Sequence, residues 1–119
     1  MRLKLYSDPQ STEITNALAE FYGVDKDKVY VGNSSDEVLS FSWLAFFDRG
    51  DKVVYPDITY SFYTVFSKLY DVEECIVPLK EDFTMDLDKM SSIDAKGIVI
   101  TNPNAPTGIA LTLEEIEAF

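Results

Sequence analysis

The run Gly97-Ile98-Val99-Ile100-Thr101 passes without a break into Asn102-Pro103-Asn104-Ala105-Pro106-Thr107-Gly108. An apolar run with no polar alternation reads as a strand covered on both faces, as in parallel sheets. The seven residues after it are turn chemistry throughout. A strand buried on both sides needs helices above and below it, so this junction points to an α/β layer.

The rest of the chain has the same alternation. Ile14, Ala17, Leu18 and Phe21 fall at i, i+3, i+4 and i+7 and predict a helix, with Ser11 or Thr12 capping its start and Gly23 stopping it. Val29-Tyr30-Val31 predicts a short strand. Ser34 with Glu37 three residues on is a capping box, opening a largely buried helix over 38–47. Residues 52–55 and 74–78 predict two further strands. Between them Phe62, Val65, Phe66 and Leu69 repeat the helical spacing. A short helix is expected over 87–93, and Thr112 with Glu115 caps a last one. The expected fold is α/β and three-layer, a mostly parallel sheet with flanking helices. It is expected as a single partial domain over 1–119 with no linker. The last helix has barely turned twice at Phe119, so the layer reads as unfinished and the chain as part of a longer protein.

Composition narrows the function. With 46% hydrophobic and 13% aromatic residues in 119, the chain can bury a core and is not of the disordered class. Ten Lys and Arg against 21 Asp and Glu leave a net charge of −11. That field repels a phosphate backbone or an anionic membrane, so neither is expected as a partner. There is no His, which removes Ser/His/Asp and Cys/His catalysis and His-based zinc sites; no metal site is expected. Cys75 is the single cysteine, so no intrachain disulfide can form and a reducing compartment fits. Residues 1–7 hold no apolar run of signal-peptide length, and no window approaches the ~20 apolar residues of a membrane helix. A soluble cytoplasmic chain is expected.

Three segments can carry chemistry. In Val29 to Glu37 a helix opens after a strand, and its first-turn N–H groups and positive dipole end suit a phosphate. Ser34, Ser35 and Asp36 would present those amides; the same pattern also describes an ordinary capped helix. Pro56-Asp57-Ile58-Thr59-Tyr60-Ser61-Phe62-Tyr63 lies beyond the carboxyl end of a strand, where open α/β sheets bind ligands. Tyr60 can stack on a flat ring there, or be one more core aromatic. In the Asn102–Gly108 run an asparagine can hydrogen-bond a ligand. Either X-Pro bond of the run can be cis.

In this order the segments resemble one family, the pyridoxal-phosphate-dependent aminotransferases of fold type I, and within it the histidinol-phosphate aminotransferase branch. Tyr6-Ser7-Asp8-Pro9-Gln10 is similar to the family's Y-P-D-P-Q, and Val31-Gly32-Asn33-Ser34-Ser35-Asp36-Glu37 to V-G-N-G-S-D-E. The Pro56 to Tyr63 segment resembles P-x-x-T-Y-x-x-Y, and Asn102 to Gly108 resembles N-P-N-N-P-T-G. The match covers nearly the whole chain, but about a third of such an enzyme.

The resemblance implies pyridoxal 5'-phosphate as cofactor, an amino-acid substrate and a homodimer. Ser34, Ser35 and Asp36 would hold the cofactor phosphate, Tyr60 would stack on its pyridine ring, and Tyr6 would reach the phosphate of the neighbouring subunit. The Asn/Pro loop would meet the phenolic oxygen. Ser34 stands where Gly is usual, Ser7 where Pro is usual, and Ala105 where the cofactor-contacting Asn usually sits. Asn104 then substitutes from one residue away, or the contact is missing. The family's Schiff-base lysine follows this loop, and none of the eight lysines here holds its position. No catalytic residue is therefore assigned, and the chain alone is expected to be inactive. Two other readings stay open: a non-catalytic module that self-associates or complements a split enzyme, and a sister aminotransferase or phosphothreonine decarboxylase.

Overall fold

The computed structural model describes residues 6–119. The stretch read above for a leader lies partly outside the described residues, at 1–5. There are two compact units, one reaching to Leu39 and one from Ser40 to Phe119.

In the first unit the chain enters helix α1, Thr12–Tyr22, through a turn built on Asp8. The Asp8 carboxylate accepts from the N–H of Gln10 at 3.0 Å and of Thr12 at 2.8 Å. The Thr12 hydroxyl first, and then these two N–H groups, hold the Asp8 carboxyl below its ordinary value. Asp8 therefore does the work expected of Ser11 or Thr12; Ser11 sits left-handed at φ 49 with no side-chain cap bond. The helix stops at Gly23 as expected, in a left-handed turn at φ 65 whose N–H returns to Ala19 and Glu20. Its apolar stripe stays mostly in water: Leu18 is half-buried, Ile14 and Ala17 are exposed, and Phe21 is 81% exposed. A single 3-10 turn, Lys26–Lys28, follows. The strand expected over 29–31 does not form. With no neighbouring strand among the described residues of this unit, these three have no ladder to join. Helix α2, Ser34–Phe46, begins here.

The second unit is built on three parallel strands, β1 Lys52–Pro56, β2 Glu73–Val77 and β3 Gly97–Ile98, in the order β2-β1-β3. Lys52 to Pro56 pair in register with Glu73 to Val77, and Val53 and Val54 with Gly97 and Ile98. The central strand is the most enclosed, with Val53 to Pro56 all buried. Strand alternation divides its side chains between two faces. On one, Val54 packs with Val77, Met85 and Met90, the last from helix α4, Leu87–Ser91. On the other, Tyr55 meets Tyr63 of helix α3, Phe62–Leu69, and Tyr63 stacks on Trp43 from the end of α2. Helix, sheet and helix make the three expected layers. β3 is shorter than its apolar run, because it has one neighbour among the described strands and its residues remain half-buried. The pairing trails off with the Val99 N–H on Val54 O at 2.8 Å.

α3 is rotated from the expected stripe. Tyr63, Phe66 and Ser67 are buried, whereas Phe62, Val65 and Leu69 are exposed. The reason is polar satisfaction: the buried Trp43 indole N–H needs an acceptor and finds Ser67 Oγ at 3.1 Å. α4 is capped by Asp86, which accepts from the Lys89 N–H at 3.2 Å. The last helix, α5 Leu113–Ala118, carries the expected capping box of Thr112 and Glu115. No helix of the described residues is long and apolar enough to cross a membrane.

The three strands run parallel, so the loops after β1, β2 and β3 leave from the same end of the sheet. Asp57 laces two of them. Its N–H donates to Val77 O at 3.0 Å, and its carboxylate accepts from the Leu79 N–H at 2.9 Å.

Candidate functional site

In the first unit the candidate residues gather at the start of α2. Ser34 has φ 81, the left-handed conformation that glycine adopts without strain. A Cβ on Gly32 would lie 2.8 Å from Val38 Cγ2 and 3.1 Å from Glu37 Oε2, so this loop closes on its helix as tightly as glycine permits. The expected capping box is shifted by one residue: the Glu37 carboxylate accepts from Asn33 N–H at 2.6 Å rather than pairing with Ser34. That bond turns one of the two first-turn carboxylates back onto the loop. The amides of the first helical turn have no acceptor within the helix. Ser34 and Ser35 are exposed, Asp36 is half-buried, and Tyr6 is fully exposed.

In the second unit Tyr60 lies in the loop after β1, half-buried. Its ring stands edge-on to Tyr63 at 5.6 Å and nearly parallel to Phe62 at 6.0 Å. The loop after β3 is closed on itself. Asn102 accepts from the Leu111 N–H at 2.8 Å, and Gly108 N–H donates to Asn104 O at 2.7 Å. Both Asn102–Pro103 and Ala105–Pro106 are cis. Asn104 is 2% exposed. Its amide nitrogen donates to Ile58 O at 2.9 Å and Thr107 Oγ1 at 3.2 Å, and its Oδ1 is buried with no partner. Sequence reasoning gave no role to the hydroxyls bordering Tyr60: Tyr63 OH lies 2.6 Å from Thr101 Oγ1, which lies 3.4 Å from Thr59 Oγ1. The only signal for them was position, since Tyr63 closes the Pro56 segment and Thr101 closes the apolar run. Among the described residues no cluster of His, Cys, Asp or Glu is arranged to hold a metal ion.

A parallel α/β sheet with a ring-bearing loop beyond its strand ends fits the large domain of a type I aminotransferase, and the comparisons agree. The family model for aminotransferase class I and II matches residues 1–119, and the chain belongs to that family of pyridoxal-phosphate-dependent transferases. More narrowly, it is 50% identical over 115 residues to the histidinol-phosphate aminotransferase of Brachyspira hyodysenteriae, covering 97% of this chain and 32% of that enzyme. It is 48% identical over 118 residues to the histidinol-phosphate aminotransferase of a Marinomonas species, covering 99% and 33%. The solved histidinol-phosphate aminotransferase of Sinorhizobium meliloti, in complex with pyridoxal-5'-phosphate, shares the fold with a TM-score of 0.85 at 22% identity, over 96% of this chain and 32% of that one. The chain spans about a third of the length of the curated relatives it matches.

Taken separately, each unit holds a feature whose chemistry suits one part of the cofactor. A helix start whose loop keeps a left-handed residue at Ser34 suits a phosphate, and the half-buried Tyr60 suits a flat ring. The phenolic oxygen is the third part. Ala105 has no polar group for it, and the Asn104 amide nitrogen already has two acceptors. What Asn104 has left is an acceptor, the orphan Oδ1.

Proposed function

We propose that this chain forms the cofactor-holding portion of a cytoplasmic histidinol-phosphate aminotransferase, which moves an amino group from glutamate to imidazole-acetol phosphate in histidine biosynthesis. The observation that carries the reading is the 50% identity to the Brachyspira hyodysenteriae enzyme over 97% of the chain. The left-handed Ser34 at the start of α2 supports it, since the backbone there keeps the conformation a glycine would take.

When bound, pyridoxal phosphate supplies the carbonyl group and electron sink for moving an amino group from an amino acid to a ketone. The share proposed for this chain is binding and orientation. The amides and hydroxyls of Ser34 and Ser35, with the Asp36 amide, donate to the phosphate, and the α2 dipole favours its charge. Glu37, held by the Asn33 N–H, keeps one like charge off the phosphate. Tyr60 supports the pyridine face. Asn104, donating to Ile58 O, holds the Asn/Pro loop against the loop of Tyr60, beside which the cofactor's phenolic oxygen would lie. Tyr6 serves the phosphate of the second subunit in a homodimer.

The test is a chimera in which residues 1–119 replace the matching third of the Brachyspira enzyme. It should retain pyridoxal phosphate and transaminate histidinol phosphate with 2-oxoglutarate. A chimera that holds the cofactor but acts only on amino acids overturns the assignment to histidinol phosphate.

A further inference from the structure

We infer that Tyr63 is a positioning residue for the Tyr60 ring, acting through the hydrogen bond its hydroxyl shares with Thr101. The inference rests on the proposed function, in which Tyr60 supports the cofactor ring.

Tyr63 is 4% exposed and touches three rings. It stacks on Trp43 at 5.4 Å and 21°, and meets Tyr55 and Tyr60 edge-on, both at 5.6 Å. A phenylalanine would bury the same ring against the same neighbours, so packing alone does not call for the hydroxyl. That hydroxyl lies 2.6 Å from Thr101 Oγ1, directly before the Asn/Pro loop. Thr101 Oγ1 in turn lies 3.4 Å from the hydroxyl of Thr59, the residue before Tyr60. A second tie crosses between the same loops, from Asn104 Nδ2 to Ile58 O at 2.9 Å. The loop that carries Tyr60 and the first turn of α3 are thus joined to the loop after β3 by bonds between groups 38 to 46 residues apart in sequence.

The consequence is for orientation. Tyr60 is half-buried, and its edge contact with Tyr63 limits its tilt. Tyr63 can impose that limit only while its own ring is fixed at the far end. Without the Thr101 bond the ring can slide along Trp43, and Tyr60 can sample a wider range of angles. A ligand ring stacked on a looser platform then loses affinity and a defined orientation.

The experiment uses the full 119-residue chain and pyridoxamine 5'-phosphate, whose amine cannot condense with surface lysines. Affinity is measured by equilibrium dialysis, ring orientation by the circular dichroism induced in the ligand's pyridine band, and folding by urea unfolding. Tyr63→Phe and Thr101→Val should each weaken binding about three- to tenfold, the size of one lost neutral hydrogen bond, and should shrink the induced signal. The double variant should be no worse than Thr101→Val alone, because both substitutions remove the Tyr63–Thr101 bond and only Thr101→Val also removes the contact with Thr59. Tyr55→Phe, which takes a hydroxyl from the next buried ring, should lower stability while leaving affinity and signal unchanged. The inference is overturned if the wild-type chain binds and both variants match it, or if Tyr55→Phe reproduces their loss. A wild-type chain that does not bind the ligand overturns the reading of the site itself, and the inference with it.

Discussion

Ser34 is held at φ 81 at the mouth of a helix, and a side chain there has an energetic consequence. An L-residue in the left-handed region costs roughly 1–2 kcal/mol, and the extra freedom of an unfolded glycine returns about 0.5–1 kcal/mol of that. Ser34→Gly should therefore stabilise the chain by about 0.5–1 kcal/mol, measured by urea unfolding, with Ser34→Ala near neutral. A destabilised glycine variant would mean that the Ser34 hydroxyl contributes more than its backbone strain removes. The need for a left-handed residue at this position was legible in the sequence, because Gly stands there in the family it resembles. The commitments of Asn104 were not. Its acceptor, Ile58 O, lies 46 residues away, and no local pattern announces a bond across two loops. Glu37 was legible as a capping residue, but not which N–H it would choose. A side chain with that reach can serve Asn33 or Ser34, and the tight Gly32 turn brings Asn33 to it.

Among the elements, β1 and β2 are joined by more than their ladder. Tyr55 OH donates to the Glu74 carboxylate and lies 3.2 Å from Thr64 Oγ1, linking both strands to α3. Burial first, and then the bond to Glu74, push the Tyr55 phenol up to about 12. A group whose pKa is raised by folding gives its full contribution below its unfolded value, about 10 for tyrosine, and loses it as pH climbs toward the folded one. Stability should hold up to about pH 10 and fall between there and pH 12. Tyr55→Phe should lack that part of the fall, although other groups titrating in the window leave some slope in both chains. Urea unfolding across the window, with phenolate absorbance followed alongside, checks it; parallel curves for the two chains would contradict it. The strands were legible to within a residue or two where an apolar run had partners on both sides, as in β1. Apolar pattern reports burial, and ladder formation needs a neighbour too. Among the described residues, 29–31 have no neighbouring strand in their unit and β3 has one, which is why the first run formed no strand and the second formed a short one. Helix faces were the least legible feature. α3 carries apolar residues around most of its circumference, and the buried side was decided by the partner that Trp43 needs.

For the molecule as a whole, two opposing surface properties set its behaviour in solution. Each unit leaves large apolar side chains in water: Ile14 and Phe21 in the first, and Phe62, Val65, Leu69, Leu113 and Ile116 in the second. Ile76 adds another on β2, which has a neighbour on one side only among the described strands. Soluble monomers rarely present apolar patches beyond a few hundred Å², and open strand edges recruit other chains. Against this stands the net charge of −11, which makes any two copies repel. The repulsion is long-ranged and screened by salt, with a Debye length falling from about 10 Å at 0.1 M to about 3 Å at 1 M. The apolar attraction acts at contact and is not weakened in this way. Raising salt should therefore remove the barrier and leave the attraction. The mass of the chain by light scattering should rise with protein concentration, and more steeply at 1 M than at 0.1 M sodium chloride. Ion pairing between copies would give the opposite salt dependence, since screening weakens attraction between unlike charges equally. A mass that stays monomeric at every concentration in 1 M salt would show that the exposed side chains are too scattered to form a contiguous surface.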